Sequence, residues 1–273
     1  MSTFQFLPNL PGLSGCRIEL VSPSIIRKVS ANKEYNARLL LQIEKQQTFK
    51  ELNFNKILTP SILFTNTEDL VYFDMEYIPA ANFNSFFKFC SPKKINIFIE
   101  CLEEFLDRIF VDTKSYVNTE LIEQKLISLY DFSSHKNFVS KLMRLVNTQN
   151  LRIPLSYCHG DLTLSNILFA ENDIYFIDFL DSYIDSAYID LAKLKQDFIH
   201  MWNLDINYFQ DPKIRINYDY VWRHIEFRYS EFLSNPIFDI IESVNLLRIE
   251  SYVKHTKKEV VLNSILKGLK LYE

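Results

Sequence analysis

The sequence predicts an α+β fold in which a small β-rich first lobe precedes a larger, mainly helical second one. Three observations carry that expectation. The first 79 residues alternate short β-branched segments with one amphipathic helix, in the order strand, strand, helix, strand, strand. After Pro79 the apolar period lengthens to that of a helix and holds over long stretches, so lobes of 1–79 and 80–273 are expected. The chain of 273 residues has only four glycines, Gly12, Gly15, Gly160 and Gly268, where ordinary usage of ~7% gives about 19. Neither G-x-G-x-x-G nor G-x-x-x-x-G-K-[ST] occurs, which argues against a Rossmann dinucleotide site and a P-loop.

Residues 16–29 (CRIELVSPSIIRKV) read as two strands broken at Ser22-Pro23, a hairpin. Residues 33–49 place Tyr35, Leu39, Leu40 and Ile43 at helical spacing, with Ser30 or Asn32 available as a cap. Two more strand-like segments, 57–64 and 70–78, flank a polar turn. The helical half opens with 94–110, where Ile95, Phe98, Ile99, Leu102, Phe105, Leu106 and Ile109 share one face. Residues 155–180 interrupt it with two short apolar strands around 170–173. Helical patterns resume at Ser186 and again from Ile237. Between them 203–220, rich in Asn, Asp and Tyr, reads as an exposed insertion that covers a cleft.

Thirty Lys and Arg against 34 Asp and Glu give a net charge of −4 with no basic stretch, so nucleic acid is not the expected partner. No run approaches the ~20 apolar residues of a membrane span. The start, MSTFQFLPNLPGLSG, lacks a charged leader, and the expectation is a cytoplasmic protein without membrane contact. Cys16, Cys90, Cys101 and Cys158 show no C-x-x-C spacing and read as buried thiols. No pattern sets an oligomeric state.

The chemistry is concentrated in His159-Gly160-Asp161, Asn166 five residues on, and Ile177-Asp178-Phe179. Mg²⁺ prefers oxygen ligands and takes one or two from protein, with waters and phosphates completing its octahedron. Asn166 and Asp178 are such a pair. A five-residue connection after Phe169 puts Asn166 opposite Asp178 in the hairpin; a four-residue connection shifts the register by one. Asp161, on the loop ahead of the first strand, is placed to orient a hydroxyl and take its proton.

These motifs resemble those of the aminoglycoside phosphotransferase and choline kinase superfamily. HGDLTLSN matches its H-G-D-x-x-x-x-N loop, IDF its metal-binding segment, and Asp190-Leu191-Ala192 its downstream helix start. The resemblance implies a bilobal protein-kinase-like fold, a nucleotide-binding lobe (1–79) and a catalytic and substrate-binding lobe (80–273). It implies Asp161 as catalytic base, Asn166 and Asp178 as Mg²⁺ ligands, and His159 and Asp190 as structural groups of the loop. The donor is then ATP or GTP. The acceptor is a hydroxyl of a small metabolite: a sugar, amino sugar, amino alcohol or choline-like compound.

Such a fold also implies a strand lysine on the phosphates and a helix glutamate holding it. Arg27 and Lys28 alternate to opposite faces; family precedent favours Lys28. Glu34 falls opposite the apolar stripe of its helix while Glu44 flanks it, so Glu44 is the expected partner. Ser14 and Gly15 occupy the position of the phosphate-covering loop, and Glu76 and Ile78 that of the adenine-holding junction. Leu180 replaces the glycine of D-F-G and no A-P-E follows, which leaves little room for peptide docking. Asp181, Tyr183, Asp185, Trp202 and Arg248 are expected on the acceptor side, where carboxylates bind hydroxyls or an amine and an aromatic face holds a quaternary ammonium. The alternative, motivated by the glycine-poor phosphate loop, is a nucleotide-binding regulatory protein without turnover.

Overall fold

The computed structural model describes residues 10–11, 16–149, 151–170, 173–253 and 256–271. The strands are β1 (Leu10–Pro11), β2 (Cys16–Ser22), β3 (Ile25–Ser30), β4 (Ile57–Leu58), β5 (Ile62–Asn66), β6 (Tyr72–Glu76), β7 (Ser115–Val117), β8 (Ile153–Leu155), β9 (Ile167–Phe169) and β10 (Ile174–Phe176). The helices are α1 (Asn36–Glu51), α2 (Phe83–Phe89), α3 (Pro92–Val111), α4 (Glu120–Tyr130), α5 (Lys136–Thr148), α6 (Ala187–Phe198), α7 (Pro212–Arg228), α8 (Ser230–Leu233), α9 (Pro236–Val253) and α10 (Lys257–Lys267). Contacts divide them into two units. One comprises the described residues up to Phe83 with Asn166–Asp181; the other comprises Asn84–Ser165 and the chain from Ser182 onward.

The first unit is built on an antiparallel sheet ordered β1-β2-β3-β6-β5. Pro23 presets the tight turn of the β2–β3 hairpin. Asn32, rather than Ser30, caps the turn into α1: its side chain accepts from the Tyr35 N–H at 2.9 Å. The buried face of α1 differs from the apolar stripe. Leu39, Gln42, Ile43, Gln46 and Phe49 face inward, while Leu40 is exposed. Two glutamines are buried because they are hydrogen-bonded, Gln46 donating to the Pro60 carbonyl at 2.8 Å. Cys16, Leu39, Ile43, Val71 and Phe73 form the core between helix and sheet.

Residues 57–64 do not form one strand. Pro60, which lacks a ladder donor, separates β4 from β5, and the two join different sheets. β4 pairs in parallel with β10, and β10 pairs antiparallel with β9. The β9–β10 connection has four residues, closed by the Ala170 N–H on the Asp173 carbonyl at 3.0 Å. In that register, with Ile167 opposite Phe176, Asn166 comes opposite Ile177 and not Asp178, and the Ile177 N–H donates to the Asn166 carbonyl at 3.0 Å.

In the second unit α3 begins at the Ser91 cap with Pro92 in its first turn, and all seven apolar residues expected on one face are buried. It packs on α6 and α7, α6 on α9, and α9 on α4 and α10. Phe87 sits in an aromatic cluster, its ring centroid 4.8 Å from Tyr218, 5.7 Å from Phe98 and 6.0 Å from Phe198. The first part of 203–220 is largely exposed, at Asp205, Asn207, Phe209 and Gln210, but from Asp211 onward the stretch is a packed helix rather than an insertion. Asp211 caps α7 by accepting from the Lys213 and Ile214 N–H groups, Pro212 starts the helix, and Ile214 and Tyr218 are buried. Its polar composition reflects the outer face of a packed helix. α6 also holds an inner turn: buried Asp197 accepts from the Leu164 N–H at 2.6 Å and from Asn203. Among the described residues no helix is long and apolar enough to cross a membrane, and the four cysteines are free and buried.

Two outcomes follow from this packing. Phe87→Ala is expected to cost about 3–5 kcal/mol, read from urea unfolding, because a large ring leaves a fully buried cluster. Burial, followed by repulsion from Asp161 and opposed by its three N–H donors, pushes the Asp197 carboxyl up to about 6. Its protonated form is therefore favoured on folding: the contribution is full below ~3.8 and is lost as pH rises through about 6. The unfolding free energy of the wild type should fall relative to that of Asp197→Asn by about 3 kcal/mol across that window; parallel profiles would contradict this.

Candidate active site

In the first unit the site grows from β3 and the residues after β10. Lys28, 4% exposed, points inward from β3 and donates to Gln42 Oε1 at 2.7 Å and to the Asp178 carboxylate. Arg27 points the other way, paired across the ladder with Asp74 at 2.7 and 2.9 Å and lying 4.0 Å over the Tyr72 ring. Asp178 has φ of 62°, a left-handed conformation that aspartate tolerates better than most residues. β10 ends two residues earlier, at Phe176, and the Asp178 carboxylate turns to Lys28.

α1 holds the residues that follow. Arg38 donates to Asp181 at 2.8 Å, Lys45 donates to the Leu180 carbonyl at 2.8 Å, and the buried Phe179 ring packs on Phe49 at 5.0 Å. Arg38, Gln42, Lys45 and Phe49 recur every three or four residues, so one helical face grips the segment 178–181. Glu44, the expected partner of Lys28, is not on that face. It is exposed, and Gln42 takes the lysine instead, because α1 turns its glutamine-bearing side to the sheet. Glu76 accepts from the Ser61 N–H at 2.8 Å at the end of β6, and Ile78 is half-buried just beyond. Ser14 and Gly15 lie outside the described residues.

In the second unit the loop from His159 is held by α6. Asp190, fully buried, accepts the backbone N–H of His159 at 2.6 Å and of Gly160 at 2.9 Å. Gly160 has φ of 87°, which suits a residue without Cβ. The buried His159 ring accepts the Asp161 N–H on Nδ1 at 3.3 Å, so it braces the loop. The Asp161 carboxylate meets Lys193 Nζ at 3.0 Å. Burial raises its pKa, but Lys193 above all, then His159 and Arg248, outweigh that and hold it below the ordinary carboxylate value. Lys193 was not singled out by the motifs, although it lies three residues after Asp190 and thus on the same face of α6.

The remaining acceptor-side residues separate. Tyr183 stacks with Arg248, whose Cζ is 5.3 Å from the ring centroid. Asp185 is exposed and accepts from Cys158 Sγ at 3.3 Å. Trp202 has Lys258 over its ring at 5.1 Å and on its carbonyl at 3.1 Å. Asp181 is the ion-pair partner of Arg38 in the first unit.

Set against known proteins, the sequence pattern described as the phosphotransferase enzyme family matches residues 120–210, which contain His159, Asp161, Asn166, Asp178, Asp190 and Lys193. No curated protein matches the sequence. Solved structures match over nearly its whole length. The streptomycin-ATP-APH(2")-IIa ternary complex has a TM-score of 0.61 at 14% identity, over 94% of this chain and 89% of that one. The GDP complex of wild-type aminoglycoside 2'-phosphotransferase-IIIa has a TM-score of 0.61 at 10% identity, over 97% and 93%. A choline/ethanolamine kinase family protein from Mesorhizobium loti has a TM-score of 0.50 at 14% identity, over 97% and 94%. At these identities the likeness is one of fold. Residues 120–210 thus carry the sequence pattern of the phosphotransferase enzyme family, and the chain has the fold of the aminoglycoside phosphotransferases, as the motifs of the His159–Asn166 loop implied.

Proposed function

We propose that the protein is a phosphotransferase that moves the γ-phosphate of ATP or GTP, with Mg²⁺, to a hydroxyl of a small metabolite. The observation that carries this is the buried Lys28 ammonium held on Asp178 and Gln42. Burying the Lys28 charge costs desolvation that an apolar side chain would avoid, so its presence beside the half-buried Asp178 supports a chemical use. Lys28 then binds the donor phosphates, and the backbone at Glu76 and Ile78 binds its base.

Asp178 and Asn166 offer a carboxylate and a carboxamide oxygen, a donor set that fits a hard divalent cation, and the Asp178 carboxylate already faces a positive charge. When bound, Mg²⁺ neutralises charge on the phosphates. Asp161, kept ionised by Lys193, orients the acceptor hydroxyl. As that oxygen bonds to phosphorus and the bond to the leaving diphosphate breaks, the hydroxyl proton passes to the Asp161 carboxylate. A weakly basic carboxylate suits a loose transition state in which this proton leaves late.

The acceptor belongs among small alcohols: sugars, amino sugars, amino alcohols and choline-like compounds were the classes implied by the motifs, and the short path from Asp178 to α6 favours such substrates over a peptide. The four buried thiols support a cytoplasmic location.

Asp161→Asn is expected to lower transfer about 10²–10⁴-fold while leaving the melting transition and nucleotide binding in place. The measurement is a mass-spectrometric screen for phosphorylated products from a pool of sugars, amino sugars, amino alcohols and hydroxy acids. Equal product from wild type and variant, or none from a folded wild type, would sink the proposal.

A further inference from the structure

Beside Asp161 the second unit gathers hydrogen-bond donors that are under-used or unpartnered among the described residues. Arg248, half-buried on α9, makes one long hydrogen bond, Nη1 to Asn245 Oδ1 at 3.4 Å, and otherwise lies over the Tyr183 ring. No carboxylate of the described residues forms an ion pair with it. Asn245 is 2% exposed, and among the described residues its carboxamide nitrogen has no hydrogen-bond partner; the buried Tyr183 hydroxyl has none there either. Burial pushes the Tyr183 phenol well above its ordinary value, so it stays an O–H donor at neutral pH. Ser182 Oγ donates to the Gly160 carbonyl at 3.2 Å, which ties the stretch carrying Tyr183, with Arg248 over its ring, to the loop carrying Asp161; Lys193 adds a second cation 3.0 Å from that carboxylate.

A buried donor without an acceptor costs about 1–3 kcal/mol. A guanidinium, an amide N–H₂ and a phenol supply donors where the missing partner must be an acceptor, and their single positive charge matches a carboxylate better than a doubly charged phosphate ester. The aromatic faces that sequence reading offered to a cationic acceptor are covered by the chain's own cations, Arg248 on Tyr183 and Lys258 on Trp202. A quaternary ammonium or a polycation would meet like charge at both.

We propose that Arg248, Asn245 and Tyr183 form a carboxylate subsite, and that the alcohol phosphorylated beside Asp161 is an acid: a hydroxy acid, a sugar acid or a hydroxylated amino acid. This rests on the phosphotransferase reading above and names its acceptor. Arg248 binds the acceptor's carboxylate while Asp161 receives the proton of its hydroxyl.

The test uses matched acceptors that differ at the acidic group: gluconate with glucose, 4-hydroxybutyrate with 4-hydroxybutyramide, serine with serinamide, and ethanolamine and choline as cationic members. Wild-type kcat/KM should be at least about tenfold higher for a carboxylate than for its neutral partner. Arg248→Gln should erase that ratio through KM, and Arg248→Lys should restore part of it. Tyr183→Phe, which keeps the ring under the guanidinium, should weaken the carboxylate member alone by a few fold. Equal use of both members, preference for the cationic ones, or an Arg248→Gln effect shared by every acceptor would overturn the subsite while leaving the phosphotransferase reading intact. Calorimetric titration with the same acceptors separates the two ideas. Carboxylate binding that Arg248→Gln abolishes, without turnover, supports the subsite and counts against phosphotransfer; no carboxylate binding overturns the subsite.

Discussion

The acceptance of two successive backbone N–H groups by the Asp190 carboxylate is the constraint on which the rest of the second unit's chemistry depends. A carboxylate with no solvent access requires such donors, and two in a row exist only where the chain turns sharply, as at His159 and Gly160 with the latter at φ of 87°. Seven residues further along α6, Asp197 accepts the Leu164 N–H and holds the far end of the same loop. Between them Lys193 meets Asp161. Residues 190, 193 and 197 lie on one helical face, so a single rigid helix sets both ends of the loop and the charge state of its middle.

The first unit uses the same device on α1. Arg38, Gln42, Lys45 and Phe49 hold the backbone and side chains of 178–181 and the lysine that faces them. Gln42 matters for what it lacks. A glutamate there would share the charge of Lys28, whereas a neutral carboxamide fixes the ammonium's position and leaves Asp178 as the carboxylate that compensates it among the contacts the structure shows. Lys28 is thus fixed from both sides, by a carboxamide and by a carboxylate.

Much of this was legible in the residues. The H-G-D-x-x-x-x-N and IDF segments lie within 25 residues of one another, and their spacing is local, so no long-range pairing had to be known. The face of α3 was equally plain, since seven large apolar residues at helical spacing allow one burial solution. Other features were hidden for identifiable reasons. Gln42 and Gln46 are polar in any apolar count yet buried through hydrogen bonds, so the apolar stripe of α1 lies one step out of phase with its buried face and points to Glu44 in their place. α7 buries Ile214, Tyr218, Val221, Trp222 and Ile225, but charged and polar residues stand between them and its first half reads as polar. Pro60 sits inside an apolar run whose two halves turn out to serve different sheets.

By itself the sequence determined the order of strands and helices, the long helical core and the identity of the oxygen-bearing residues, because each depends on neighbours a few positions apart. Only the tertiary structure decided the partners. The β9–β10 hairpin joins β4 in the first unit, its four-residue turn brings Ile177 rather than Asp178 opposite Asn166, Gln42 takes Lys28, and Lys193 takes Asp161. These pairings join positions 14 to more than 100 residues apart or hang on a one-residue register, and a buried charge accepts whichever partner the packed backbone brings within reach.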